Sequence, residues 1–522
     1  MTKKRALISV SDKTGIIDFS QELLSMGYEI VSTGGTAQYL WDSGIRVTAV
    51  SDITGFPEIL NGRVKTLHPV IHAGILADQN NPRHMETLVK HNILPFQIVV
   101  INLYPFEETV RKNPKDLNAA IENIDIGGPT LIRAAAKNHN NIAVVTDPLD
   151  YVNLVDELKR NDGSICSELR LHLACKAFNL TAQYDAWIAS YFEGKKPITS
   201  NDPIPKCLPE SFHILLSKKS HLRYGENPHQ KAAIYQVPFC SSSSVTESIQ
   251  ISGKELSYNN FLDLHAAWNA VLDFDVPAAV IIKHQNPCGA AVADKLADAY
   301  RYALECDPIS AYGGIVALNS TVDFEVAQML HKTKFIEVIA APDYTSDAIE
   351  LMIQKKNRRI MKAPLRQSQR ADVEAHIFNG SAFVQETDQF MDDSNHFTVV
   401  TDTKPSKDEM EDLLFAWRIC KFVKSNAIVF AKNKATVGIG AGQVSRIDSV
   451  KIAAMKAQDR AQNAVMASDA FFPFRDGIDE AKKAGIKAVI QPGGSKRDND
   501  AIQACNEFEI SMIFTGCRHF RH

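Results

Sequence analysis

Gln97–Leu103 (QIVVINL) is an unbroken apolar, β-branched run, and it lies among similar runs separated by helical patterns. A strand that is apolar on both faces must be covered on both faces, as is a central strand of a parallel sheet. Ala6–Val10, Tyr28–Val31 and Ile142–Val145 read as further strands. Gly15–Met26 and the segment opening at Ala37–Trp41 read as helices between them. Strand and helix in alternation predict a doubly wound parallel α/β sheet.

The chain of 522 residues has room for two to four domains. From Glu193 to about Glu210 the alternation stops, and EGKKPITSNDPIPKCLPE is rich in Pro, Lys and Ser. This divides the chain into a first domain at 1–195, a linker at 196–210 and a second part at 211–522. The second part also reads as α/β and shows signs of an internal duplication. VIIKHQNPCGAAVA (280–293) is laid out like IVFAKNKATVGIGAG (428–442), as strand, basic turn and glycine-rich return. DPISAYGG (307–314) is matched with SDAFFPFRDG (468–477), and a seam is expected near 392–407.

Apolar residues make up 45% and charged residues 23% of the chain, which provides ample core. A net charge of -4 gives no general attraction to nucleic acid or to a membrane surface. No apolar run approaches the ~20 residues of a membrane span. The nine cysteines are irregularly spaced, without a CxxC pair, as expected of reduced thiols in a cytoplasmic protein. No HExxH or paired His/Cys cluster offers a zinc site.

Two loops of the first domain have the chemistry of phosphate binding. Ser9-Val10-Ser11-Asp12-Lys13-Thr14-Gly15 follows the first strand, and Ser32-Thr33-Gly34-Gly35-Thr36 follows the second. Glycines allow close backbone approach, hydroxyls donate, and a helix N-terminus adds partial positive charge. Ordinary N-capped turns would look similar. Neither loop is a Walker loop or GxGxxG, which favours a monophosphate. Arg63, Lys65, Thr66, Asn102, Tyr104, Asp125 and Lys137 add polar groups around apolar segments. Lys137 at the end of an Ala-rich helix also fits a simple helix-dipole partner. In the second part, Lys283 and His284 leave the buried run Ala278–Ile282 together. A cation beside an imidazole favours the neutral form, which can accept a proton. Both can serve one site only if the chain turns there, and Pro287 and Gly289 are expected to make that turn.

GRVKTLHPVIHAGIL, INLYPF, DIGGPTLIRAAAKN, LRYGENPHQ, KHQNPCGAA, GAGQVSRID, SDAFFPFRDGID and RHFRH resemble, in order and over nearly the whole chain, the bifunctional purine biosynthesis family. That family joins a phosphoribosylaminoimidazolecarboxamide (AICAR) formyltransferase to an IMP cyclohydrolase. The resemblance implies a methylglyoxal-synthase-like N-terminal domain. It also implies a C-terminal part of two cytidine-deaminase-like α/β subdomains without zinc. Two reactions follow from it: formyl transfer from 10-formyltetrahydrofolate to the amine of AICAR, then dehydrative closure of the product, FAICAR, to IMP.

By the same resemblance, His284 is the base, Lys283 the cation at the formyl oxygen, and Asn426 the residue that orients the reacting groups. Arg223, Tyr224, Asn260, Gly313, Glu337, Arg446, Phe471 and Arg518 match AICAR contacts, an arginine suiting the ribose phosphate. Ile447, Asp476, Ser495 and Lys496 match positions near the folate. Lys65, Tyr104, Asp125 and Lys137 match the ring-closing positions, with Asp125 and Lys137 assigned to proton transfer. Ser11, Lys13, Thr33, Gly34, Gly35, Thr36, Arg63, Thr66 and Asn102 match FAICAR and IMP contacts. The resemblance further implies a cytoplasmic homodimer with the formyltransferase site at the subunit interface. It implies no redox cofactor and no metal at either catalytic centre. It leaves room for a monovalent cation, for which the sequence offers no recognisable ligand set.

Two other readings compete. The first domain alone could be a phosphate-eliminating lyase or a dinucleotide-dependent oxidoreductase. The RVKTLHP run with Lys137 opposes the lyase, and the missing GxGxxG opposes the oxidoreductase. A non-catalytic sensor of a phosphorylated metabolite would have no use for KHQNPCG.

Overall fold

The computed structural model describes residues 4–113, 116–193, 208, 211–212, 214, 216–237, 244–365, 373–388 and 396–522. The expected linker lies outside the described residues except for Leu208, as do residues 392–395 of the expected seam. Contacts divide the chain into two compact units, Met1–Leu215 and Leu216–His522.

The first unit is built on parallel strands β1 (Lys4–Ser9), β2 (Tyr28–Ser32), β3 (Thr48–Ala49), β4 (Ile98–Ile101) and β5 (Ala143–Val145), in the order β3-β2-β1-β4-β5. Successive residues of a strand enter opposite cores. Ala6 and Ile8 pack with Ile98 and Val100 on one face, whereas Leu7 packs with Val99 and Ile101 on the other. All are buried, so both faces of the sheet are covered, and the central run of β4 has to be apolar throughout.

The second unit holds a hairpin of β6 (Ser217–Leu222) and β7 (Ala232–Gln236), and further on a second hairpin of β14 (Val373–Phe378) and β15 (Ser381–Glu386). Its body is one mixed sheet of twelve strands. They are β8 (Ile249–Ser252), β9 (Ala278–Lys283), β10 (Asn286–Val292), β11 (Ile315–Leu318), β12 (Val338–Ala341), β13 (Arg359–Lys362), β16 (Thr398–Val399), β17 (Ile428–Lys432), β18 (Ala435–Gly440), β19 (Val465–Ser468), β20 (Ala488–Gln491) and β21 (Ser511–Phe514). The order is β16-β21-β20-β19-β17-β18-β10-β9-β11-β12-β13-β8.

This unit is made twice from one plan: a helix, an antiparallel hairpin, then parallel strands separated by helices. A constant offset carries Ser257, Asn260, Asp263, Leu264, Ala267 and Trp268 of the helix Tyr258–Val271 onto Ser406, Glu409, Asp412, Leu413, Ala416 and Trp417 of the helix Lys407–Cys420. Both helices open with a capping box. The two helices pack on the same face of the sheet in one continuous core containing Trp268 and Trp417. The other face carries a separate core in each half.

The matched hairpins correspond in space. The loops matched in the sequence do not. SDAFFPFRDG starts at the end of β19, and its counterpart is the Leu318-Asn319-Ser320 step after β11. DPISAYGG instead links the helix Leu296–Cys306 to β11. The turn after Lys283 also differs from expectation. His284 and Gln285, at φ 54° and 61°, form a two-residue left-handed turn, and Pro287 and Gly289 lie inside β10. Asn433 and Lys434, at φ 53° and 55°, make the same turn in the second half.

The glycines of the returning strands have a packing role. A Cβ on Gly289 would overlap the carbonyl oxygen of Ala303, and one on Gly438 that of Ala453, so a helix sits directly on each strand. Gly438→Ala is expected to cost about 3 kcal/mol, or to prevent folding of this unit, in denaturant unfolding of the full chain.

Candidate active sites

At the carboxyl ends of β1, β2 and β4 the first unit gathers its loops, as open parallel sheets do. Ser9 Oγ and Thr33 Oγ1 are 3.2 Å apart, and Thr36 Oγ1 donates to Val10 O at 3.0 Å. The Lys13 ammonium donates to Thr36 Oγ1 at 3.0 Å and to the carbonyl of Val10. Asn102 clamps the β1 loop: its Oδ1 accepts from the N–H groups of Ser11 and Asp12, and its Nδ2 donates to Asp12 O at 3.0 Å. Asn102 is therefore committed to shaping the loop. Gly34 and Gly35 open the helix Gly34–Asp42, where first-turn amides have no intrahelical acceptor and suit an anion.

The segment 58–68 joins this place to the start of the helix Gly127–Lys137. A Cβ on Gly34 would lie 3.7 Å from Lys65 Nζ, and one on Gly127 would lie 3.0 Å from Thr66 Oγ1. Asp125 stands just before that second helix and accepts from the Gly128 N–H at 2.8 Å. Burial pushes its carboxyl above the ordinary range, against the pull of backbone donors and of Lys65. Burial lowers the Lys13 ammonium, and the charge of Lys65 lowers it further. Lys65 is thus the common neighbour of Lys13 and Asp125. Tyr184 holds the Asp125 backbone, its hydroxyl accepting from the Asp125 N–H at 2.7 Å, and burial raises that phenol to about 12. The ring of Tyr104 is about half exposed in the same loop region. Arg63 pairs with Glu122, and both side chains are mostly exposed, so the pair is readily released.

Lys137 does not join this group within one protomer. It is the last, exposed residue of the helix that Asp125 precedes, roughly 15 Å away along the axis at 1.5 Å per residue. Glu58, which sequence reasoning passed over, does come close: a Cβ on Gly34 would lie 3.5 Å from Glu58 Oε2.

In the second unit, strand direction determines which loops meet. β9 is antiparallel to β10 and β11, β10 is antiparallel to β18, and β17 is antiparallel to β18 and β19. The end of β9 therefore shares a sheet edge with the start of β17. The starts of β11, β12 and β13 and the ends of β18, β19, β20 and β21 lie on it too. Lys283, His284, Gly313, Glu337, Asn426, Arg446, Phe471, Asp476, Ser495, Lys496 and Arg518 all fall at or just beyond this edge. Asn286 ties the two halves together there, its Oδ1 accepting from the Lys424 N–H at 3.0 Å.

Asn426 is held firmly. Its Nδ2 donates to the carbonyls of Gln443 at 2.8 Å and Val444 at 3.0 Å, and its Oδ1 accepts from Arg446 at 2.6 Å. Both amide hydrogens are occupied, which fixes the amide orientation and leaves one acceptor lone pair on Oδ1. Arg446 is buried and also donates to Ser468 Oγ at 2.8 Å and to the Asp469 carboxylate. It is engaged inside the protein, where the resemblance had offered it as an AICAR contact. Asn260 uses its Oδ1 in the capping box with Ser257.

Glu337 pairs with the buried Arg359 at 2.5 Å. Lys283 Nζ donates to Tyr312 O at 2.8 Å, leaving two N–H groups. Behind the turn, Asp263 Oδ1 accepts from the Gln285 N–H at 2.7 Å. Burial raises this carboxyl, while donors from the turn and the charge of His284 lower it. Arg223 and Tyr224 follow β6, and their loop is tied by Asn259 Nδ2 to Glu226 O at 3.3 Å, beside Asn260. Arg223, Phe471, Asp476, Lys496 and Arg518 are exposed; Ile447, at a helix start, and Ser495, in the loop before the helix Asp498–Glu507, are half-buried.

The sequence reading missed Asp263, Arg359 and Asp469. Asp469 stood inside a quoted motif, but its burial and partners follow only from the fold. Among the described residues, no three His, Cys, Asp or Glu side chains cluster so as to hold a metal ion.

The AICARFT/IMPCHase bienzyme family matches residues 135–456, and the MGS-like domain matches residues 15–130. Proteins named bifunctional purine biosynthesis protein PurH are similar throughout. The one from Persephonella marina is 52% identical over 99% of this chain and 100% of its own length. That from Anoxybacillus flavithermus is 48% identical over 100% of both chains. That from Caldicellulosiruptor bescii is 49% identical over 99% of this chain and 100% of its own.

The raised carboxyl of Asp125 carries a stability consequence. A folded-state value above the unfolded one penalises the ionised fold at neutral pH, and the penalty disappears below the ordinary carboxylate range. Asp125→Asn is expected to raise the thermal unfolding midpoint at pH 7. Scans repeated on acidification should show the gain vanish.

Proposed function

The chain belongs to the AICARFT/IMPCHase bienzyme family, and from this premise we propose how its residues divide the work. The protein is an AICAR formyltransferase and IMP cyclohydrolase and performs the final steps of de novo IMP synthesis. The formyltransferase activity implies a formyl-tetrahydrofolate co-substrate.

For formyl transfer, the carrying observation is the convergence of the His284 turn and Asn426 on one sheet edge, tied through Asn286. The amine of AICAR is conjugated to its ring and carboxamide and is a weak nucleophile, so it needs a base. His284 accepts its proton as the nitrogen attacks the formyl carbon, and a proton is returned to the folate N10 as the bond from N10 to the formyl carbon breaks and tetrahydrofolate leaves. Asn426 accepts a hydrogen bond from the same amine through its remaining Oδ1 lone pair. Lys283 offers its two remaining N–H groups to the formyl oxygen as negative charge grows there. With Arg446 engaged internally, the exposed Arg223 and Arg518 are left for the AICAR phosphate. Tyr224, Asn260, Gly313, Glu337 and Phe471 are assigned to the rest of AICAR. Ile447, Asp476, Ser495 and Lys496 are assigned to the folate, Asp476 suiting the donor-rich edge of its pterin.

For ring closure, the carboxamide nitrogen attacks the formyl carbon and water leaves. Lys13, the hydroxyls of Ser9, Thr33 and Thr36, and the amides of Gly34 and Gly35 hold the phosphate. Lys65 and Tyr104 stabilise the oxyanion, and Asp125 moves the proton, its raised value suiting exchange nearer neutrality. Lys137 can act there only from a second copy of the chain, which supports the homodimer reading. Cys166, Cys175, Cys288, Cys306, Cys420 and Cys505 are free thiols, which supports the reading of a cytoplasmic protein.

His284→Asn tests the base without disturbing the turn, because Asn433 occupies the equivalent left-handed position. Formyl transfer, followed by tetrahydrofolate release, should fall about 10²–10⁴-fold, while closure of supplied FAICAR is unchanged. Unchanged transfer would remove His284 as the base. Lys137 is tested by mixing inactive Lys65→Ala and Lys137→Ala chains, refolded together. Sites built from two protomers would recover about a quarter of wild-type cyclisation, since one site of each mixed dimer is intact. Sites built within one protomer would recover none.

A further inference from the structure

The duplication provides a control inside the protein. Features present in both halves serve the fold, and features present only at the reacting edge are candidates for function. Asp263 accepts from the turn at His284–Gln285, and Asp412 accepts from Asn433 and Lys434 in the same way, at 2.8 Å and 2.6 Å. Lys283 Nζ reaches Tyr312 O, and Lys432 Nζ reaches Gln462 O at 2.9 Å. These pairs belong to the plan of the fold.

The residue after the first parallel strand behaves differently in the two halves. After β11 it is Asn319, whose amide closes on neighbouring backbone: Oδ1 accepts from the Ala278 N–H at 2.8 Å, and Nδ2 donates to Phe274 O and Val276 O at 2.8 Å each. After β19 it is Asp469, which is fully buried. Its carboxylate accepts from Ser425 Oγ at 2.5 Å and pairs with the buried Arg446. Ser425 precedes Asn426, and Arg446 donates to Asn426 Oδ1. The position equivalent to Asn426 in the first half is Pro277, so that half has no amide to hold. A neutral amide therefore satisfies the fold at this position, and a buried ion pair is a poor source of stability.

We propose that Asp469 is a positioning residue for formyl transfer, gripping Ser425 and Arg446 so that the Asn426 carboxamide presents its oxygen to the attacking amine. Asp469 touches neither substrate and acts through Asn426. The proposal rests on the role given to Asn426 above.

The test is a double-mutant cycle on the full-length enzyme. Asp469→Asn makes the substitution that the other half already carries. It should lower kcat for formyl transfer about 100-fold, the scale of a misplaced reacting group, with both KM values nearly unchanged. Combined with Asn426→Ala, it should cost no more than Asn426→Ala alone. Closure of supplied FAICAR should remain at the wild-type rate. Unchanged kcat, or losses that multiply in the double variant, would overturn the proposal. If Asp469→Asn unfolds because Arg446 is left unpaired, Ser425→Ala decides. It removes one grip, and a loss of kcat that is absent in the Asn426→Ala background is expected. A loss that persists in that background, or none at all, counts against the proposal. If Asn426→Ala itself leaves formyl transfer intact, the role of Asn426 fails first, and that result is distinguishable from failure of the inference.

Discussion

The antiparallel pairing of β10 with β18 is the contact on which the second unit depends. It is short: Ala291 faces Ala435, the Val292 N–H reaches Lys434 O at 3.1 Å, and the buried Thr436 hydroxyl accepts from the Ala290 N–H at 2.9 Å and donates back to Ala290 O at 3.2 Å. That seam turns two copies of one plan into a single sheet with a shared core on one face. Because the strands meet antiparallel, the ends of one half's hairpin lie beside the starts of the other's. Residues of both halves therefore meet at one edge. At Gly289 and Gly438 helices rest directly on the hairpin strands.

The first unit solves its problem by a different route. A parallel sheet covered on both faces places the carboxyl ends of β1, β2 and β4 together, and each loop there is fixed by hydrogen bonds to another loop. Charges are then concentrated: burial, and then the nearby charge of Lys65, disfavour the proton of Lys13. Asp125 is desolvated at a helix start, held by backbone donors.

Much of this was legible in the sequence. Four of the five strands of the first unit, its two hydroxyl- and glycine-rich loops and the family follow from local patterns, because strand burial and loop chemistry are written in runs of a few residues; the short β3 and the exact turn after Lys283 do not. The duplication was legible in its hairpins. It was misread in the following loops, where DPISAYGG and SDAFFPFRDG share an aspartate, aromatics and glycine but occupy different places in the plan. Arg446 was offered as an AICAR contact, but that its guanidinium also meets the buried Asp469 carboxylate depends on β19, a separate strand. Lys137 and Asp125 are near in sequence yet lie at opposite ends of one helix, and only the helix axis shows the distance.

By itself, the sequence determined the family, the two reactions, the parallel sheet of the first unit and most residue types that the sites require, since these depend on composition and order along the chain. The tertiary structure decided which of those residues meet. It bent the turn at His284–Gln285, set Asp263 behind it, committed Asn102 and Arg446 to internal partners, and brought Asp469 to Asn426. These outcomes depend on strand direction and on burial, which are properties of the packed sheet, so no local stretch of sequence could specify them.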